Sequence, residues 1–159
     1  MTRIFITGSA DGLGQLAARL LVQQGHQVVL HGRSPARARQ ALAAVPQAEA
    51  TVSGDLAGLR QVAEQANALE RFDAVIHNAG VGYREPRRAP TAGGLPLVLA
   101  VNSLAPYVLT CLLTCPDRLV YLSPGLHGRV MPACTTSPGP PAPGAATRPA
   151  PTRSCTTCC

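Results

Sequence analysis

The sequence predicts an α/β protein built on a parallel sheet with helices on both faces. Three observations carry this. Strand-like and helix-like segments alternate from the N-terminus to about residue 123. The strand-like segments are short apolar runs, such as Ile4-Phe5-Ile6, of the kind found in buried parallel strands. A glycine-rich turn, Thr7 to Gly14, separates the first strand from the first helix.

Ile4 to Ile6 reads as the first strand, ended by Thr7-Gly8. Leu13 to Gln24 follows with helical spacing, set by Leu16, Leu20 and Leu21. Gln27 to Leu30 is the second strand, and Pro35 to Val45, rich in Ala and Arg, the second helix. Ala50 to Val52 is a weak third strand. Leu56 to Leu69 is helical, with Leu59, Val62 and Ala66 on one face. Phe72 to His77 is the fourth strand, Leu95 to Leu113 a long helix, and Arg118 to Leu122 the fifth strand.

From Gly128 the character changes. Pro and Gly crowd together, periodicity disappears, and Ala, Thr, Ser and Cys fill the rest. Such a segment buries too little apolar surface to offset its chain entropy. The expected organisation is a folded domain over residues 1–127 and a disordered Pro/Gly-rich tail over 128–159.

Composition narrows the function classes. The formal charge of +6 is uneven, because all eight acidic residues precede Gly128. No cluster of basic residues interleaved with aromatics supports nucleic-acid binding. Leu95 to Leu113 carries no charge and has the length of a membrane span, but Asn102, Ser103, Pro106 and Thr110 interrupt it, and it reads as a buried helix. Arg3 leads at once into a strand, so no signal peptide is read. The expected compartment is the cytoplasm, with its thiols reduced. Cys155, Cys158 and Cys159 form a terminal C-x-x-C-C without a second ligand pair at zinc spacing, so no metal site is assigned.

The turn carries the first chemistry. In Thr7-Gly8-Ser9-Ala10-Asp11-Gly12-Leu13-Gly14, Gly8 permits a tight turn, Gly12 a close approach of backbone to a pyrophosphate, and Gly14 close packing of the helix on the sheet. Free N–H groups at the helix N-terminus face the phosphates.

The spacing T-G-x-x-x-G-x-G resembles the short-chain dehydrogenase/reductase family, and four further matches follow in the family's order. Asp55-Leu56 stands after the third strand, where the family's Asp contacts adenine. Asn78-Ala79-Gly80 ends the fourth strand like the family's N-A-G motif. Asn102 matches the helix asparagine that supports the proton relay. Arg118 to Ser123 looks like the strand leading into the catalytic serine. The resemblance covers residues 1 to about 127. It implies a Rossmann-like doubly wound parallel sheet of order 3-2-1-4-5, incomplete because the family's next helix and last two strands would be missing, and with them part of the homo-oligomer interface. It also implies an NAD(P)-dependent oxidoreductase that moves hydride between the cofactor and a small carbonyl or alcohol substrate. The cofactor-binding candidates are Gly8, Ser9, Gly12, Leu13, Gly14, Arg33, Asp55, Leu56, Asn78, Ala79 and Gly80; the catalytic candidates are Asn102 and Ser123.

NAD enzymes place an acidic residue at the end of the second strand to bond the ribose 2′-OH. Here that end reads Leu30-His31-Gly32-Arg33-Ser34. Arg33 suits a 2′-phosphate instead, so NADP is expected over NAD.

The family pattern breaks after Ser123. Pro124 occupies the place of the catalytic serine, no Tyr follows Tyr121, and every basic residue of the chain is Arg, so the family's Tyr-x-x-x-Lys pair is absent. Proton-transfer catalysis typically contributes ~10²–10⁴-fold, and without it turnover should nearly vanish. Shifted by one base, codons 147–159 permit Q-A, then Cys, Ser, Arg or Gly, then S-D-S-K-L-H-D-V-L. This resembles the family segment that carries the catalytic pair and points to a frameshift near His127. The alternative is a native tail on a non-catalytic dinucleotide-binding protein.

Overall fold

Strand β1 (Arg3–Ile6) lies at the centre of the molecule, flanked by β2 (Gln27–Gly32) on one side and β4 (Ala74–His77) on the other. With β3 (Ala50–Ser53) and β5 (Arg118–Tyr121) at the two edges, all pairings are parallel, as the alternation of strands and helices predicted, and the order is β3-β2-β1-β4-β5, as the family resemblance implied. This computed structural model describes residues 1–56, 59–69, 71–82, 91 and 94–123. The described residues belong to one unit, Met1–Ser123. The expectations for the tail over 128–159 and its cysteines lie outside the described residues.

Side-chain alternation along each strand builds two cores. Ile4, Ile6, Val28, Leu30 and Ala74 point to one face, where they meet Ala18 of α1 (Gly12–Gln23) and Ala41 of α2 (Pro35–Ala44). Phe5, Val29, Val52 and Val75 point to the other, against Val62 and Ala66 of α3 (Leu59–Asn67) and Ala105 and Leu109 of α5 (Ala105–Leu112). Phe5 and Phe72 stack at 5.3 Å between ring centroids. Small residues on the helices let them sit close to the strands, and because every strand is parallel, the strand ends and the starts of the following helices share one rim.

Helix boundaries follow local chemistry. Ser34 caps α2 by accepting the Arg37 N–H at 3.3 Å, with Pro35 at the first helical position. Gly25, at φ +83°, closes α1. Leu56, expected in the third helix, stands in a turn before it and is buried. The long helix expected over Leu95–Leu113 is divided into α4 (Leu97–Leu99), a π-helical turn (Ala100–Leu104) and α5. The cause is Pro106, which has no N–H to give to the carbonyl four residues back and whose ring crowds it; a wider turn relieves the clash. No helix of the described residues is long and apolar enough to cross a membrane.

Candidate cofactor-binding site

A cleft of about 360 Å³ opens at the C-terminal ends of β1, β2 and β4. That is where ligands bind in open parallel sheets, at the point where the strand order reverses. The turn after β1 forms its floor. Gly8 has φ +64°, and a Cβ there would come within 2.8 Å of the Ala79 backbone. Gly12 has φ +55° and open space where a side chain would stand. A side chain at Gly14 would overlap the Asn78 amide and the Gly8 carbonyl. The three glycines thus have three separate reasons: conformation and contact, conformation and open approach, and packing.

The turn is braced from behind. Thr7 Oγ1 accepts the N–H groups of Asn78 and Ala79, each at 3.1 Å. The Asn78 amide returns two bonds, to the carbonyls of Thr7 at 3.1 Å and Gly8 at 2.9 Å. Two sequence motifs seventy residues apart are therefore one hydrogen-bonded unit.

Gly8, Gly12, Leu13, Arg33, Asp55, Leu56, Asn78, Ala79 and Gly80 all face the cleft. Ser9 and Gly14 lie behind its wall. Ser9 is fully buried, and its hydroxyl accepts the His31 N–H at 2.8 Å. Asn102 stands on the π turn beside the cleft residue Val81. Its Oδ1 accepts the Val81 N–H at 2.8 Å, and its Nδ2 donates to the Val81 carbonyl at 2.9 Å. Ser123 is exposed beyond the end of β5 and is not among the cleft walls.

Sequence reasoning missed several cleft residues, Asp11, Arg37 and His31 among them. Arg37, one turn into α2, forms an ion pair with Asp11 across the mouth. His31 is buried, accepts the Gly8 N–H on Nδ1 at 3.1 Å, and has Nε2 3.0 Å from the Gly54 carbonyl. Burial pushes its imidazole below the ordinary histidine pKa, opposed in part by the Gly54 bond and the Asp55 charge. The signal was a single polar residue inside an otherwise apolar strand.

These residues can cradle an extended anionic ligand. Backbone N–H groups at the start of α1 could receive a diphosphate, and Arg33 lies where β2 ends. The open side of Gly12 leaves room for the phosphates, so the chain's residues fit a dinucleotide.

Comparison with known proteins agrees. Residues 2–116 match the short chain dehydrogenase family. An uncharacterized oxidoreductase of Emericella nidulans is 53% identical over 132 residues, covering 80% of this chain and 52% of that protein. The short-chain dehydrogenase chyC of Penicillium rubens is 46% identical over 130 residues, covering 80% of this chain and 50% of that one. The chain spans about half the length of these curated relatives. A solved short-chain dehydrogenase from Sphingobium yanoikuyae, in complex with NADPH, has the same fold, with a TM-score of 0.58 at 24% identity over 70% of this chain and 46% of that one. By the match over residues 2–116, and by the glycine turn and sheet order that go with it, the chain belongs to the short-chain dehydrogenase family.

Proposed function

We propose that this chain binds NADP(H) in the cleft, and that in this form it binds without turning over. The observation that carries the cofactor choice is Arg33 on the cleft wall at the end of β2, with Arg37 beside it and no carboxylate in that strand end. Guanidinium pairs with phosphate by two parallel bonds, whereas a ribose hydroxyl calls for an acidic acceptor. Arg33 holds the 2′-phosphate, the α1 N-terminus and Gly12 receive the diphosphate, and Asp55-Leu56 flank the adenine. Asn78-Ala79-Gly80 form the wall toward the nicotinamide. Asn102 positions Val81 and, through it, that wall.

The bound nicotinamide would supply hydride chemistry, and the family's reaction is hydride exchange with a small carbonyl or alcohol. We assign that reaction to relatives that carry the full catalytic set, and we place this chain in the cytoplasm. Here the proton-transfer pair is missing: the chain has no Lys, and no Tyr beyond Tyr121. Ser123 is the remaining hydroxyl near the expected serine position, with Pro124 in the place itself.

Two measurements test this. Arg33→Ala should weaken NADP⁺ binding about tenfold to a hundredfold, since charge-assisted bonds contribute about 1.5–3 kcal/mol, while NAD⁺ binding changes little. Equal losses for both cofactors would reject the assignment of Arg33. NADPH oxidation with a panel of aldehydes and ketones should stay at background; clear turnover would overturn the inactive reading.

A further inference from the structure

His31 occupies a place in the cleft where neither of its nitrogens has a choice of role. The Gly8 N–H can only donate, so the Nδ1 it meets at 3.1 Å must carry a lone pair. The Gly54 carbonyl can only accept, so the Nε2 at 3.0 Å must carry the hydrogen. The surroundings therefore define one state, the neutral Nε2–H tautomer. In that state the ring ties the glycine turn after β1 to the segment after β3. His31 is itself fixed to the glycine turn, since the Ser9 N–H donates to the His31 carbonyl at 3.0 Å and the His31 N–H to the Ser9 hydroxyl at 2.8 Å.

We propose that His31 is a positioning residue for the cofactor cleft: its neutral imidazole holds the Gly8–Gly12 turn in the shape that receives a diphosphate, and protonation at Nδ1 releases it, so dinucleotide binding is lost in acid. This rests on the reading of the cleft as a dinucleotide site. A proton on Nδ1 would face the Gly8 N–H donor to donor, and the turn would have to move. Gly8 has little freedom to do so gradually, because it is already packed on the Ala79 backbone. Release would instead break the cradle.

The groups around the ring fix the direction of the response. From β1 the edge of Phe5 approaches, uncharged, at 6.4 Å between centroids. From the segment after β3 come the Gly54 carbonyl and Asp55, which favour the charged ring. Arg33 and Arg37 lie on the β2–α2 side of the cleft, with Arg37 paired to Asp11 of the glycine turn. Burial is the largest influence and disfavours charge. The ring is therefore neutral at neutral pH and gains its proton only below 6.5, the usual histidine value. Affinity should be level above that value and fall once pH drops through the folded-state pKa.

Full-length protein and two probes test the proposal. Long-range ¹⁵N–¹H NMR of the wild type at pH 8 should show His31 as the Nε2–H tautomer, with the Gly8 amide shift following the His31 titration. ADP-ribose carries a diphosphate ionised across this range and no 2′-phosphate to titrate, so its affinity isolates the protein's own response. Wild-type affinity should fall about tenfold per pH unit below the His31 titration, as expected for one linked proton. His31→Phe should bind about tenfold more weakly at pH 8, and its affinity should be flat with pH. An Nδ1–H tautomer overturns the proposal without any variant having to fold. ADP-ribose binding that keeps the wild-type pH profile in His31→Phe overturns it too, while leaving the cofactor reading intact. Absence of both NADP⁺ and ADP-ribose binding at pH 8 overturns the cofactor reading and this proposal together.

Discussion

Gly8 and Gly12 share a left-handed backbone but differ in what a substitution would cost. At Gly8 the backbone angle and the 2.8 Å approach to Ala79 act together. Gly8→Ala should therefore destabilise by about 2 kcal/mol or more, read as a lower urea midpoint with unchanged slope. At Gly12 there is space, so Gly12→Ala should cost only the strain of its angle, about 1 kcal/mol, yet weaken NADP⁺ binding by placing a methyl in the phosphate approach. A Gly12→Ala variant that binds as well as the wild type would remove Gly12 from the site. His77 supplies the pH dependence at this scale. It is buried on β4, stacked on Tyr121 at 4.8 Å between centroids, and Thr110 Oγ1 lies 3.2 Å from its Nε2. Thr110 gives its own proton to the Pro106 carbonyl, leaving its oxygen to accept from Tyr121 and the imidazole. Burial pushes the pKa of His77 down to about 4 from 6.5. The unfolded chain then binds the proton more readily than the folded one between those values. Stability should be full above pH 6.5, decline as pH falls toward 4, and level off below. Urea unfolding at pH 7.5 and pH 5 should show this loss, and His77→Asn should reduce it.

Among the elements, the π turn decides where Asn102 points. A regular helix over the same residues would rotate the side chains after Ala100 by a different amount, and the paired bonds from Asn102 to both polar groups of Val81 depend on that setting. Asn102→Ala should remove about 0.5–1 kcal/mol at this exposed site and speed exchange of the Val81 amide, with little effect on the β1 and β2 amides. Unchanged Val81 protection would mean that the loop is held by other contacts. The strand β5 raises a different issue. Its Leu119, Val120 and Tyr121 have the apolar character of a central strand, yet β5 is the edge of the sheet and these residues are 37%, 39% and 52% exposed.

For the whole molecule, that edge is the expected source of association. Leu13, Leu16 and Leu20 of α1 are also exposed, at 69%, 58% and 54%, forming an apolar stripe on the opposite face from α5. Among the described residues β5 has no neighbour on its outer side, and an open edge strand and apolar helix faces invite self-association. Sedimentation should show concentration-dependent oligomers, and Val120→Lys should shift them toward monomer; a wild type that is monomeric at all concentrations would reject this. The chain spans about half the length of the curated relatives it matches, so a relative's further strands and helices would have the natural place to pack here.

The strands themselves and the glycine turn that floors the cleft were legible in the sequence because each depends on local signals, whereas the strand order came only through the family resemblance. Apolar runs mark strands, Gly8, Gly12 and Gly14 mark the turn, and Asn78-Ala79-Gly80 marks the end of β4. The character of Arg33, and the lack of a carboxylate at the end of β2, could likewise be read directly. What needed the tertiary structure were the partnerships. Thr7 and Asn78 meet only because β1 and β4 are neighbours, and His31 meets Gly8 and Gly54 only because β2 lies between β1 and β3. The break in the long helix also had a local cause in Pro106, but whether a proline ends, kinks or widens a helix depends on what the packed neighbours allow. Residue type is written along the chain, whereas burial and hydrogen-bond partners are properties of segments far apart in sequence, and only folding brings those together.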